Sequence, residues 1–102
     1  MVELEKIKKV LEDLKLEDIH LYDLDETNPF FNYIFVANAL NKRHLKSSID
    51  NIYKENIEYD HIEASEEWVL IDMGDIIIHI LSKEARELYN LDTLYSTYSI
   101  VY

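Results

Sequence analysis

The chain has 102 residues, 48% of them hydrophobic and 30% charged, which excludes a disordered polymer and describes one domain with room for a core but small for an enzyme with a deep cleft. It has no cysteine, so disulfides and thiolate metal sites are excluded and the composition suits a reducing cytoplasm. Ten basic residues against 21 acidic ones give a net charge of −11, which repels phosphate backbones and favours a basic partner.

The first ten residues, MVELEKIKKV, lack the apolar run of a signal peptide. Leu4, Ile7, Val10, Leu11 and Leu14 recur at helical spacing and predict an amphipathic helix of about four turns. Glu5 and Lys9 stand at a supportive spacing on its charged side. A strand is predicted around residues 19–24, then a turn at Asp25-Glu26-Thr27-Asn28-Pro29, ended by the only proline. Residues 30–37 (FFNYIFVA) are nearly all apolar, as a central strand covered on both faces requires. A second helix spans about residues 42–55, capped by Asn41, with Leu45, Ile49, Ile52 and Tyr53 as its buried stripe. Lys42, Arg43, His44 and Lys46 decorate its start as a solvated face, with a peripheral RNA contact as the alternative. Residues 59–64 read as a short strand.

Residues 68–81 (WVLIDMGDIIIHIL) hold the only tryptophan and the only glycine. Gly74 sits between two strand-like runs, where a tight turn needs a residue tolerant of positive φ. A Met73-Gly74 loop would pair Asp72 with Asp75, Leu70 with Ile77 and Trp68 with His79, all on one face. The other face, Val69, Ile71, Ile76, Ile78 and Ile80, is wholly aliphatic and reads as core. The first face reads as a surface that meets a partner, with Trp68 beside Leu70 as a flat aromatic anchor. Between Lys54 and Lys83 there is no Lys or Arg, while the acids there include Glu63, Glu66, Glu67, Asp72 and Asp75.

Asp72 and Asp75 could hold a divalent cation or face a basic partner; a single glycine offers no Gly-rich loop for a nucleotide. His79 either hydrogen-bonds within the sheet against Trp68 or makes a polar interface contact. His20, His44, His61 and His79 lack metal-ligand spacing. Ser82 is the expected cap of a short helix through Tyr89. Arg86 and Tyr89 share a helical face. Tyr89 is expected to pack on the sheet, and Arg86 to pair with a hairpin carboxylate such as Asp75 or to contact the partner. Leu91 and Leu94 are expected to pack back on the sheet. Residues 96–102 are β-prone without clear period. The order αββαβββα predicts a single-domain α/β fold, a mixed β-sheet of about five strands with helices on one face.

The tryptophan hairpin, the following helix EARELYNL (residues 84–91), the strand YIFVA (33–37) and the segment KRHLKSSID (42–50) occur together in an order that resembles the ribosomal silencing factor, or Iojap, family. The likeness spans nearly the whole chain. It implies a nucleotidyltransferase-like fold, with residues 1–95 as the silencing-factor domain and 96–102 as a C-terminal tail. It also implies a non-enzymatic role: binding the large ribosomal subunit through ribosomal protein L-fourteen, blocking subunit joining and repressing translation under nutrient limitation. A capacity to form homodimers off the ribosome is implied as well. Trp68, Leu70, Asp72, Gly74, Asp75, His79, Arg86, Tyr89 and Leu91 match the family. The chain departs from it at Asn38-Ala39-Leu40, where a loop glycine is usual, at Glu63-Ala64 for Glu-Gly, and at Leu94-Tyr95 for Leu-Trp.

The expected partner-binding residues are therefore Trp68, Leu70, Asp72, Asp75, Ile77, His79 and Arg86, with no catalytic residue, metal or cofactor. Two rivals stand beside this expectation. One is a small Mg-dependent nucleotidyl- or phosphoryl-transfer enzyme using Asp72 and Asp75; the other is a dimeric adaptor.

Overall fold

A computed structural model describes residues 2–24, 29–55 and 57–101, so residues 25–28 of the expected turn lie outside the described residues. The elements in chain order are α1 (Val2–Asp13), β1 (Glu17–Asp23), β2 (Tyr33–Ala39), α2 (Lys42–Lys54), β3 (His61–Ala64), β4 (Trp68–Asp72), β5 (Ile76–Ser82), α3 (Lys83–Leu88), α4 (Leu91–Leu94) and β6 (Ser99–Ile100). Both expected caps are present. The Asn41 side chain accepts the His44 backbone N–H at 2.8 Å, and Ser82 Oγ accepts that of Ala85 at 3.0 Å, each satisfying an otherwise orphaned donor.

The mixed sheet has six strands in the order β3-β4-β5-β2-β1-β6. β2 and β5 run parallel at its centre, and the other pairs are antiparallel. That central position explains why FFNYIFVA and the isoleucine run lack alternation: both faces of these strands are covered. The sixth strand comes from the segment without clear period. Only Ser99 and Ile100 pair, with Asp23 and Tyr22, too few residues for a pattern to show.

Helices lie on both faces of the sheet, not on one. On the first face, Ile7, Val10 and Leu11 of α1 and Leu45 and Ile52 of α2 pack over Phe35, Ile71, Ile76, Ile78 and Ile80. On the second, Ala85 of α3 and Leu91 of α4 close over Ile34, Val36, Ile77 and Leu81. Two apolar side chains fall outside the expected packing. Tyr53 is 72% exposed, so Leu45, Ser48 and Ile52 are the buried residues of α2; Leu94 is 63% exposed. Asn38 and Ala39 belong to β2 and not to a loop.

The hairpin is displaced by two residues from the expected register. Asp72 pairs with Ile77, Leu70 with His79 and Trp68 with Leu81. The loop is Gly74-Asp75, closed by the Met73 N–H donating to the Ile76 carbonyl at 2.9 Å. Gly74 takes φ +93° at the first loop position, where the favoured hairpin turns both require positive φ. Asp72 Oδ1 accepts the Gly74 N–H at 2.8 Å, so this carboxylate holds the turn and does not oppose Asp75 across it. A shift of two preserves which side chains share a face, and the division of the strands into two faces stands.

Candidate partner-binding site

Trp68 stands on β4, one strand in from the short edge strand β3. Its indole is half-buried and tilted between two rings, with centroids 5.0 Å from Tyr89 and 5.6 Å from His79. The indole Nε1–H donates to His79 Nδ1 at 3.1 Å. An indole nitrogen can only donate, so Nδ1 is unprotonated and Nε2 carries the proton, facing the Tyr95 hydroxyl at 3.4 Å. His79 is 6% exposed, and burial pushes its pKa down to about 4. Burial likewise raises the Tyr95 hydroxyl pKa.

Beside the indole, Trp68, Leu70, Glu63, Ala64 and Ser65 line an open groove of about 350 Å³. Glu63, Glu66 and Glu67 are exposed around it. Lys42 reaches Glu66 at 3.2 Å, both exposed, so the start of α2 is tethered to the acidic approach to β4. His44 has left the basic cluster altogether. Its Nδ1 accepts the Leu40 N–H at 2.9 Å, which leaves Nε2–H to donate to the Leu14 carbonyl at 2.6 Å and staple α2 to the end of α1.

Arg86 does not meet Asp75. It is 5% exposed and bonds Asp92, through Nε to Oδ2 at 2.7 Å and Nη2 to Oδ1 at 3.0 Å. Nη1 donates to the Asp18 carbonyl at 2.7 Å and to Asn38 Oδ1 at 3.0 Å. The Asp18 carbonyl is available because β1 bulges between Glu17 and His20, with Asp18 at φ +48°. The guanidinium holds the Asp92 carboxyl well below the usual range, the Tyr22 hydroxyl adding a hydrogen bond at 2.5 Å. Burial and that carboxylate raise the Tyr22 pKa. Arg86 thus ties α3 and α4 to β1 and β2.

Of the seven expected site residues, Trp68, Leu70 and Asp72 are half-buried and Asp75 is exposed. Ile77, His79 and Arg86 are buried beneath them. Tyr89 packs on Trp68 and stays 58% exposed. It caps α3 after Leu88, also exposed, because the buried face of this helix is formed by Ala85 and Arg86. Nothing in the spacing of residues pointed to Asp92, Asn38 and Asp18, because an ion-pair network closed between four elements has no spacing of its own. Among the described residues no group of three His, Cys, Asp or Glu is placed to hold a metal ion. Among them no helix is long and apolar enough to cross a membrane.

The family model described as "Ribosomal silencing factor during starvation" matches residues 2–101. A ribosomal silencing factor RsfS of Chromobacterium violaceum is 29% identical over 104 residues, covering 92% of this chain and 85% of the relative. A mouse protein named for mitochondrial assembly of the ribosomal large subunit is 22% identical, over 92% of this chain and 45% of its own length. A crystallised Chromobacterium violaceum protein superimposes with a TM-score of 0.79 at 26% identity, covering 91% of this chain and 85% of that one.

Proposed function

The chain belongs to the ribosomal silencing factor family, and from that premise we propose that it binds the large ribosomal subunit through ribosomal protein L-fourteen. Docked there, it obstructs joining with the small subunit and represses translation under nutrient limitation. The observation that carries this is the half-buried Trp68, held beside Leu70 in an open groove within a stretch that has no Lys or Arg from residue 55 to residue 82. An aromatic anchor desolvates on contact, while the surrounding carboxylates select a basic protein surface and repel RNA. The docking surface is Trp68, Leu70, Asp72 and Asp75, with Tyr89 beside the indole.

The role is steric and regulatory, without catalysis. Asp72 Oδ1 accepts the Gly74 N–H, which supports a structural role for this carboxylate in the hairpin turn. Off the ribosome, in the cytoplasm, the protein can form homodimers.

Co-sedimentation with purified large subunits, and titration of isolated ribosomal protein L-fourteen, test the proposal. Trp68→Ala should weaken binding by about 2 kcal/mol, roughly thirtyfold, if the indole is a hot spot. Unchanged affinity in a folded variant would remove Trp68 from the interface.

A further inference from the structure

We propose that His79 is a positioning residue for docking: it does not touch the partner but fixes the plane of the Trp68 indole. This rests on the docking role of Trp68 above. The indole has one polar atom, and its hydrogen bond goes to His79 Nδ1 at 3.1 Å. His79 is itself held from below. It is buried in β5, its Nε2 lies 3.4 Å from the Tyr95 hydroxyl, and the two rings are 6.3 Å apart. Tyr95 packs on Tyr22 at 5.5 Å, Tyr22 donates to Asp92, and Asp92 pairs with buried Arg86.

A continuous line of contacts therefore runs from the buried guanidinium to the half-exposed indole. Tyr89 closes the indole's other side at 5.0 Å. Leu70, the second apolar residue of the groove, is the direct cross-strand neighbour of His79, so one buried side chain braces both anchors. An indole already fixed before contact loses less freedom on binding than one free to change rotamer. That loss is what His79 avoids. At 6% exposure it offers almost no surface for a contact of its own.

The single tryptophan makes the inference measurable, because indole fluorescence reports on Trp68 alone. His79→Phe keeps a ring and removes the acceptor; His79→Asn returns an oxygen near the place of Nδ1. The Phe variant should bind large subunits about tenfold more weakly, with faster anisotropy decay and stronger acrylamide quenching. The Asn variant should recover most of both. Tyr95→Phe, which strips only the hydroxyl facing Nε2, should move both readouts the same way to a smaller extent, and it carries the test if His79→Phe does not fold. Wild-type affinity in folded His79→Phe overturns the inference. So does weakened binding with unchanged fluorescence, which would make His79 a contact. If the wild-type protein does not bind large subunits, the docking role falls, while the fluorescence arm still decides whether His79 holds the indole.

Discussion

Arg86 is a buried cation whose guanidinium donates to Asp92, the Asp18 carbonyl and Asn38, and whose Nη2 also faces His20 Nδ1 at 3.1 Å. Removing such a group leaves buried acceptors unsatisfied and a carboxylate without its counter-charge. Arg86→Met should therefore lower stability by about 3 kcal/mol, read as a drop in urea midpoint at unchanged slope. A loss within a few tenths of a kcal/mol would mean that water replaces the network. His79 sets a pH dependence of opposite origin. Its folded-state pKa lies near 4 against an ordinary 6.5, so between these values the unfolded chain binds the extra proton. Its contribution is full above pH 6.5 and is lost as pH falls toward about 4. The loss should be on the order of 3 kcal/mol, measured by urea unfolding across that window, and the slope should be shallower in His79→Phe.

At the scale of elements, the hairpin turn and the helix caps are local devices whose cost can be tested singly. Gly74 sits at φ +93°, and an added Cβ would lie 3.2 Å from the Asp60 side chain. Gly74→Ala should cost about 1–2 kcal/mol in thermal or urea unfolding, since an L side chain meets both left-handed strain and that neighbour. Ser82→Ala removes the side-chain cap at the start of α3 and should cost about 1 kcal/mol. Because α3 carries Arg86 and ends at Tyr89, which caps it, partner binding should weaken with it. These devices were legible in advance: Asn41, Gly74 and Ser82 act within a few residues of themselves. The hairpin register was not. Met73-Gly74 and Gly74-Asp75 both place a glycine in a two-residue loop, and only the pairing of β5 with β2 on its far side shows where the ladder begins.

For the molecule as a whole, −11 net charge and a stretch from β3 through β5 without a Lys or Arg make association with a basic partner salt-dependent. Affinity for large subunits should fall as salt rises, chiefly through the association rate; a salt-independent affinity would assign the interface to apolar contact alone. The α/β class, the two-faced hairpin and the acidic approach to it follow from period, composition and charge, which are properties of the chain before it folds. Tertiary structure decided the rest. It laid α3 and α4 on the second face, so that Ile77 and His79 are buried there and not exposed. It brought Arg86 to Asp92 and to the bulge at Asp18, through bonds that join residues up to 68 positions apart. Periodicity tells which side of a strand a residue faces, because that depends on its near neighbours. What covers that side is settled only when distant segments compete to bury it, and no local pattern records the outcome.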